Sequence, residues 1–197
     1  MAKKRFDSKF WAGTFMIGLM VLSSLAFVME YYANPDSGIS YGDFKFTSDP
    51  LGYKTKIDGK DIVFTYLPDS LDSVNVSSAA PYVLRQSRAV LISIDPDTEY
   101  SDTLGTLQYM DSNILTDALG IMVGPGLTNN TAYPDIPQID CLNASSDEPV
   151  LLMRYTNDSS DAGVSTQGNC VILKAQYSDD FTRYNDRLMY EVVGVMK

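Results

Sequence analysis

Arg88–Gly120 reads RAVLISIDPDTEYSDTLGTLQYMDSNILTDALG, and a change of hydrophobic period inside it decides the fold. Arg88–Ile94 is a β-branched apolar run of strand length, closed by Asp95-Pro96, which predicts a buried strand. Ser101 is a good N-cap, and Asp102 suits the dipole of a first turn. Leu104, Leu107, Met110, Ile114, Leu115 and Ala118 then mark one helical face, and Gly120 supplies the stop. A buried strand followed by an amphipathic helix calls for a sheet with helices packed on it.

Toward the C-terminus, Ile121–Val123 predicts a short strand, and Gly124-Pro125-Gly126 a turn. Thr128–Pro149 reads as loop. Val150–Tyr155 and Val164–Gln176 read as a strand pair joined by the polar tip Thr156–Ala162. Asp179 or Asp180 caps a last helix in which Phe181, Tyr184, Leu188, Val192 and Val195 share a face. Arg183, Asp186 and Arg187 are expected on its exposed or locally paired side. Toward the N-terminus, Asp43–Thr47 alternates, and Gly52–Ile57 and Lys60–Leu67 flank Asp58-Gly59, a strong hairpin signal. Ser78–Gln86 reads as a short helix interrupted by Pro81, and Asp69–Val76 has no clear preference. The class is α+β. Strand–helix–strand, hairpin and helix from Arg88 onward also allow a thioredoxin-like layout; with no CxxC, that layout carries no oxidoreductase chemistry.

The far N-terminus has a different character. Lys3, Lys4, Arg5 and Lys9 precede Phe10–Met29, FWAGTFMIGLMVLSSLAFVM, twenty residues without a charge. As a helix this run spans roughly 30 Å, the thickness of a hydrocarbon core. The basic residues predict a cytoplasmic N-terminus and an exported remainder. The expected organisation is therefore a cytoplasmic 1–9, a transmembrane anchor at 10–32, a linker at 33–41 and an extracytoplasmic globular domain at 42–197. A cleaved signal peptide is the rival reading, since Ser24-Leu25-Ala26 has the small-x-small form of a cleavage site. A buried core helix is the second rival, disfavoured because the run is apolar on every face and carries no polar stripe; cleaved or not, the segment predicts a domain outside.

Charge and residue usage narrow the function. The chain has 197 residues with 15 basic and 25 acidic side chains, of which residues 1–32 hold four and two. The remainder carries 11 against 23, a formal charge of −12, which disfavours nucleic acid as a partner. There is no histidine, so every Ser-His-Asp or Cys-His arrangement is excluded. The two cysteines, Cys141 and Cys170, both fall in the exported part and read as a structural disulfide. Asn75, Asn129, Asn143 and Asn157 head N-x-[ST] sequons and are candidate glycosylation sites.

Candidate chemistry is sparse. Asp95, Asp97, Glu99 and Asp102 follow a strand end, where oxygens at such spacing could hold Ca²⁺ or Mg²⁺. An acidic turn with helix capping is the simpler account, so no metal site is assigned. The thirteen tyrosines serve a strand-rich core or line a saccharide- or peptide-binding face. No catalytic or cofactor-binding residue, and no cofactor, is assigned.

Ile136–Asn143 (IPQIDCLN), Pro149–Met153, Gly168–Leu173 (GNCVIL) and Asp186–Val195 (DRLMYEVVGV), with the basic start and the apolar run, resemble small single-pass membrane-anchored proteins of small-genome (DPANN-type) archaea. The resemblance covers nearly the whole chain. Its motifs are structural, so it implies the topology and the disulfide and carries over no functional residue. The expected partners are the bilayer, through residues 10–32, and another membrane or surface protein. The expected role is an interaction or accessory subunit of a membrane or surface complex. The alternatives are a module binding a divalent cation, sugar or peptide, and a carboxylate-dependent hydrolase.

Overall fold

The computed structural model describes residues 15–25 and 38–197. Residues 15–25 form a helix, α1, belonging to a unit separate from the compact body that begins at Ile39. In α1 the hydroxyls of Ser23 and Ser24 both donate to the Met20 carbonyl, at 2.9 and 2.8 Å, which satisfies these two donors within the apolar helix. Among the described residues no helix is long and apolar enough to cross a membrane. The rest of the expected 10–32 span, residues 10–14 and 26–32, lies outside the described residues, as do residues 1–9 and most of the linker.

The body is α+β, with two sheets. The first is an antiparallel meander of β1 (Ile39–Tyr41), β2 (Phe44–Asp49), β3 (Gly52–Ile57) and β4 (Lys60–Phe64). It starts three residues inside the expected linker, because Ile39–Tyr41 pairs with Phe44–Phe46. The hairpin at Asp58-Gly59 forms as expected, with φ of 48° and 80°, the left-handed pair such a two-residue turn requires.

The second sheet contains β5 (Ala89–Ile94), β6 (Met122–Leu127), β7 (Val150–Tyr155), β8 (Gly163–Gln167) and β9 (Cys170–Ala175), in the order β6-β5-β7-β9-β8. All neighbours are parallel except β8, which pairs antiparallel with β9. Three expectations are corrected here. Val164–Gln176 is two strands, because Gly168 (φ 60°) turns the chain, and the hairpin is β8–β9. With β7 standing parallel between β5 and β9, the sheet departs from the expected strand pair and from the thioredoxin-like layout built on it. Gly124-Pro125-Gly126 is likewise strand. An edge position tolerates the proline, and the missing side chains let a loop approach closely: a Cβ on Gly126 would lie 2.7 Å from Ile139 Cδ1.

Helices α2 (Ala79–Arg85), α3 (Ser101–Leu119) and α4 (Ser178–Val193) complete the body. One face of the five-stranded sheet, built by Val90, Ile92, Leu151, Met153, Val171 and Leu173, joins the main core with helix residues such as Leu104, Leu115, Phe181 and Leu188. The meander packs on the helices through Tyr190 of α4, which stacks on Phe64 at 3.9 Å between ring centroids and meets Phe46 edge-on at 5.9 Å. The opposite sheet face carries a smaller core of Val150, Leu152 and Cys170 beneath Ile139 of the 128–149 loop. Ser93 on that face donates to the Ile139 carbonyl at 2.7 Å. The expected disulfide is present between Cys141 of the loop and Cys170 of β9. It fastens the loop over the sheet.

Candidate functional site

In the parallel strands the carboxyl ends at Ile94, Leu127, Tyr155 and Ala175 lie along one edge. From β5 the chain runs through α3 to β6 on one side, and later returns to β7 on the other. The β5/β7 boundary is therefore a topological switch point, the place where ligands bind in open α/β sheets. Both long helices also start at this edge. Their N-caps are Tyr100 and Tyr177, neither with a side-chain capping bond. The expected N-cap Ser101 is thus the first helical residue. Hydroxyls of Thr103 and Ser178, 2.7 Å apart, tie the two first turns together.

Tyrosines dominate the edge. Tyr100 packs against Tyr155, with ring centroids 5.8 Å apart, and rests on buried Phe181 at 6.0 Å. Tyr155 is 41% exposed and Tyr177 63%. The Tyr100 hydroxyl is pushed up by desolvation first, then by the Glu99 carboxylate and by Tyr155 and Tyr177. Next to Tyr155 opens a cleft of about 460 Å³, lined by Arg154, Tyr155, Thr156, Asn157, Asp161 and Lys174. Lys174 is paired with Asp161. Asp161 is the only carboxylate of that lining, so the two facing carboxylates of a glycan-cleaving site are not brought together here.

The acidic stretch is spread over separate tasks. Asp95 accepts the Asp97 backbone N–H at 3.1 Å, and Asp97 accepts from Asn129 Nδ2 at 2.7 Å. Asp102 sits in the first turn of α3. Among the described residues, no group of three or more His, Cys, Asp or Glu is placed to hold a metal ion. Asn75, Asn129, Asn143 and Asn157 are all exposed. Asn129 accepts from both the backbone and the hydroxyl of Thr131, and Asn143 closes a capping turn by accepting the Asp140 N–H at 2.9 Å. Asn157 stands on the rim of the cleft.

Sequence reasoning missed a polar seam between α3, α4 and the end of the meander. Asp111 and Asn185 are buried against each other, with Asn185 Nδ2 donating to Asp111 Oδ1 at 2.7 Å. Asp111 Oδ2 and Asn185 Oδ1 have no partner. Burial pushes the Asp111 carboxyl well above its ordinary range. Asp186, expected on the exposed or locally paired face of α4, is 1% exposed and accepts the Tyr66 N–H at 2.8 Å. Desolvation raises it to about 7, against the lowering effect of the Tyr66 and Thr65 backbone donors. Tyr190 donates its hydroxyl to the Tyr66 carbonyl at 2.8 Å, so α4 satisfies both backbone polar groups of Tyr66. The Tyr66 hydroxyl bonds Asp179, its ring lies 5.4 Å from the Arg183 guanidinium, and its pKa is pushed up to about 12, chiefly by the Asp179 hydrogen bond. Asp111 had a legible signal. It occupies the ladder Leu104, Leu107, Asp111, Ile114, on the stripe assigned to Met110.

Comparison with protein-family models, with curated proteins and with solved structures finds no match.

Proposed function

We propose that this chain is a membrane-tethered, extracytoplasmic recognition domain that serves as an interaction or accessory subunit of a membrane or surface complex. The observation that carries this reading is the tyrosine cluster at the switch point. Tyr100, Tyr155 and Tyr177 are gathered where both long helices begin, and two of the three are substantially exposed. Tyrosine is enriched at binding surfaces because a rigid ring buries large apolar area while its hydroxyl stays hydrogen-bonded. Two further features support the setting. The Cys141–Cys170 disulfide is the kind that persists in an oxidising exterior. The basic start before an uncharged run of twenty residues suits a signal-anchor.

The test is gentle detergent extraction of C-terminally tagged full-length protein, followed by native mass determination. A defined complex with another membrane protein, lost in Tyr177→Ser, is expected. A bare monomer under the same extraction refutes the subunit reading. Digestion of the domain by protease added outside intact cells tests its exposure, and protection there refutes the topology.

A further inference from the structure

Strand alternation divides the last residues of β7 between the two faces of the sheet. Tyr155 turns to the helix face with Tyr100 and Phe181, whereas Arg154 follows Val150 and Leu152 onto the disulfide face. The register sets Lys174 of β9 beside Arg154, as it sets Ile172 beside Leu152. Between these side chains and the disulfide turn opens a groove of about 360 Å³, lined among others by Leu142, Leu152, Ile172, Arg154, Lys174 and Asp140. We propose that this groove binds the C-terminal end of another polypeptide. The terminal carboxylate meets Arg154 and Lys174, and an aliphatic last side chain packs against Leu142, Leu152 and Ile172. The proposal stands without the subunit reading, which is carried by the tyrosine edge.

Three features specify the ligand. First, two cations stand in register on neighbouring strands, an arrangement that costs stability unless an anion is shared between them. Lys174 pairs with Asp161, outside the groove lining, at 2.5 Å, whereas Arg154 has no ion pair among the described residues. The carboxylate in the lining, Asp140, already accepts the Leu142 N–H at 2.8 Å. Arg154 is thus left to take an incoming carboxylate through two parallel hydrogen bonds. Second, Leu142 is 93% exposed, yet its turn is fixed: Asp140 and Asn143 cap it reciprocally, and Cys141 is bonded to Cys170 of β9. Its turn is set before a ligand arrives, so little ordering entropy is lost on binding. Third, the volume lies at the low end of small-molecule sites. It suits one residue better than a folded surface, and a chain end carries its carboxylate and its side chain on the same carbon.

The experiment uses the full chain, made without N-glycans so that Asn143 stays bare, in phosphatidylcholine nanodiscs. Fluorescence anisotropy follows a labelled peptide, Gly-Gly-Ser-Ala-Leu, with a free C-terminus. Saturable binding is expected, and the C-terminal amide should bind about tenfold or more weakly, the loss of a charge-assisted contact. A peptide ending in serine should weaken by a similar factor, the loss of one buried aliphatic side chain. Arg154→Gln should bring the free acid down to the level of the amide, and Leu142→Ser should remove the preference for leucine over serine. Circular dichroism melts confirm that the variants fold. No binding of the free-acid peptide, an amide bound as tightly as the acid, or full binding in Arg154→Gln each overturns the proposal. Isocaproate, which carries the carboxylate and branched alkyl group without a peptide, overturns it too if it competes as tightly as the peptide. None of these outcomes bears on whether a complex is found by native mass, so the two readings fail separately.

Discussion

Asp186 should make this protein less stable as the pH rises from 5 to 8. Its carboxyl is buried between α4 and the end of β4 and titrates at about 7 in the folded state, against 3.8 for an ordinary aspartate. A carboxyl with a raised folded-state pKa holds its proton more tightly folded than unfolded. Its contribution is whole below about pH 4, is lost through the window between 3.8 and 7, and is flat above it. At 1.36 kcal/mol per pKa unit the full effect is roughly 4 kcal/mol, of which roughly 2.5 kcal/mol falls between pH 5 and pH 8. For a body of this size that corresponds to about 5–10 °C in Tm. Asp111 acts in the same direction, since burial raises it too.

The assay is urea unfolding of the full chain at pH 5 and pH 8, followed by far-ultraviolet circular dichroism. Asp186→Asn cannot ionise and should remove most of the difference between the two pH values. It should also be less stable than wild type at pH 5, because its amide offers one acceptor oxygen and turns its NH2 toward the other of the Tyr66 and Thr65 N–H groups. The informative quantity is therefore the difference between pH values. Adding Asp111→Asn should reduce the remaining difference further, because burial raises that carboxyl in the same direction. A wild type equally stable at both pH values, or a double variant that keeps the full difference, would refute the reasoning.

Reducing the disulfide, or replacing Cys141 and Cys170 by serine, should cost about 3.5 kcal/mol on the chain-entropy model for a loop of this size. That corresponds to roughly 7–14 °C in a thermal melt, read with and without reductant. Gly126→Ala should destabilise by about 1–3 kcal/mol, because the added methyl would lie 2.7 Å from Ile139 Cδ1 and 2.8 Å from its Cβ. Chemical denaturation measures the loss, and Ile139→Val in the same chain should recover part of it by making room.

The parts of the fold set by local chemistry were legible. The Asp58-Gly59 hairpin, the β5 strand and the glycine stop of α3 each depend on a few adjacent residues, and each formed where expected. What failed depended on partners distant in sequence. Gly124-Pro125-Gly126 is a turn by composition and a strand in fact, because at a sheet edge its lack of side chains makes room for Ile139. Gly168 splits one apparent strand, because the hairpin it makes must return β9 alongside β7. Neither outcome is written in the local sequence.

The same distinction separates the two polar regions of the helical layer. A carboxylate in a helix reads as exposed unless its stripe is traced, and Asp186 is buried only because the meander brings the Tyr66 N–H to it. Once there it is tied to structure, because its lone pairs are taken up by the backbone of a neighbouring element and water is excluded. The tyrosines at the start of α3 and α4 are the opposite case. Tyr100 and Tyr177 occupy N-cap positions where serine or aspartate would close the helix ends better, and Tyr155 remains partly exposed at a strand end. Residues that suit neither capping nor burial are where local and global requirements disagree, and such conflicts concentrate at sites kept for another purpose. The seam of Asp111, Asn185 and Asp186 therefore belongs to the stability of the body, and the tyrosine edge with its adjoining cleft is where recognition should be sought.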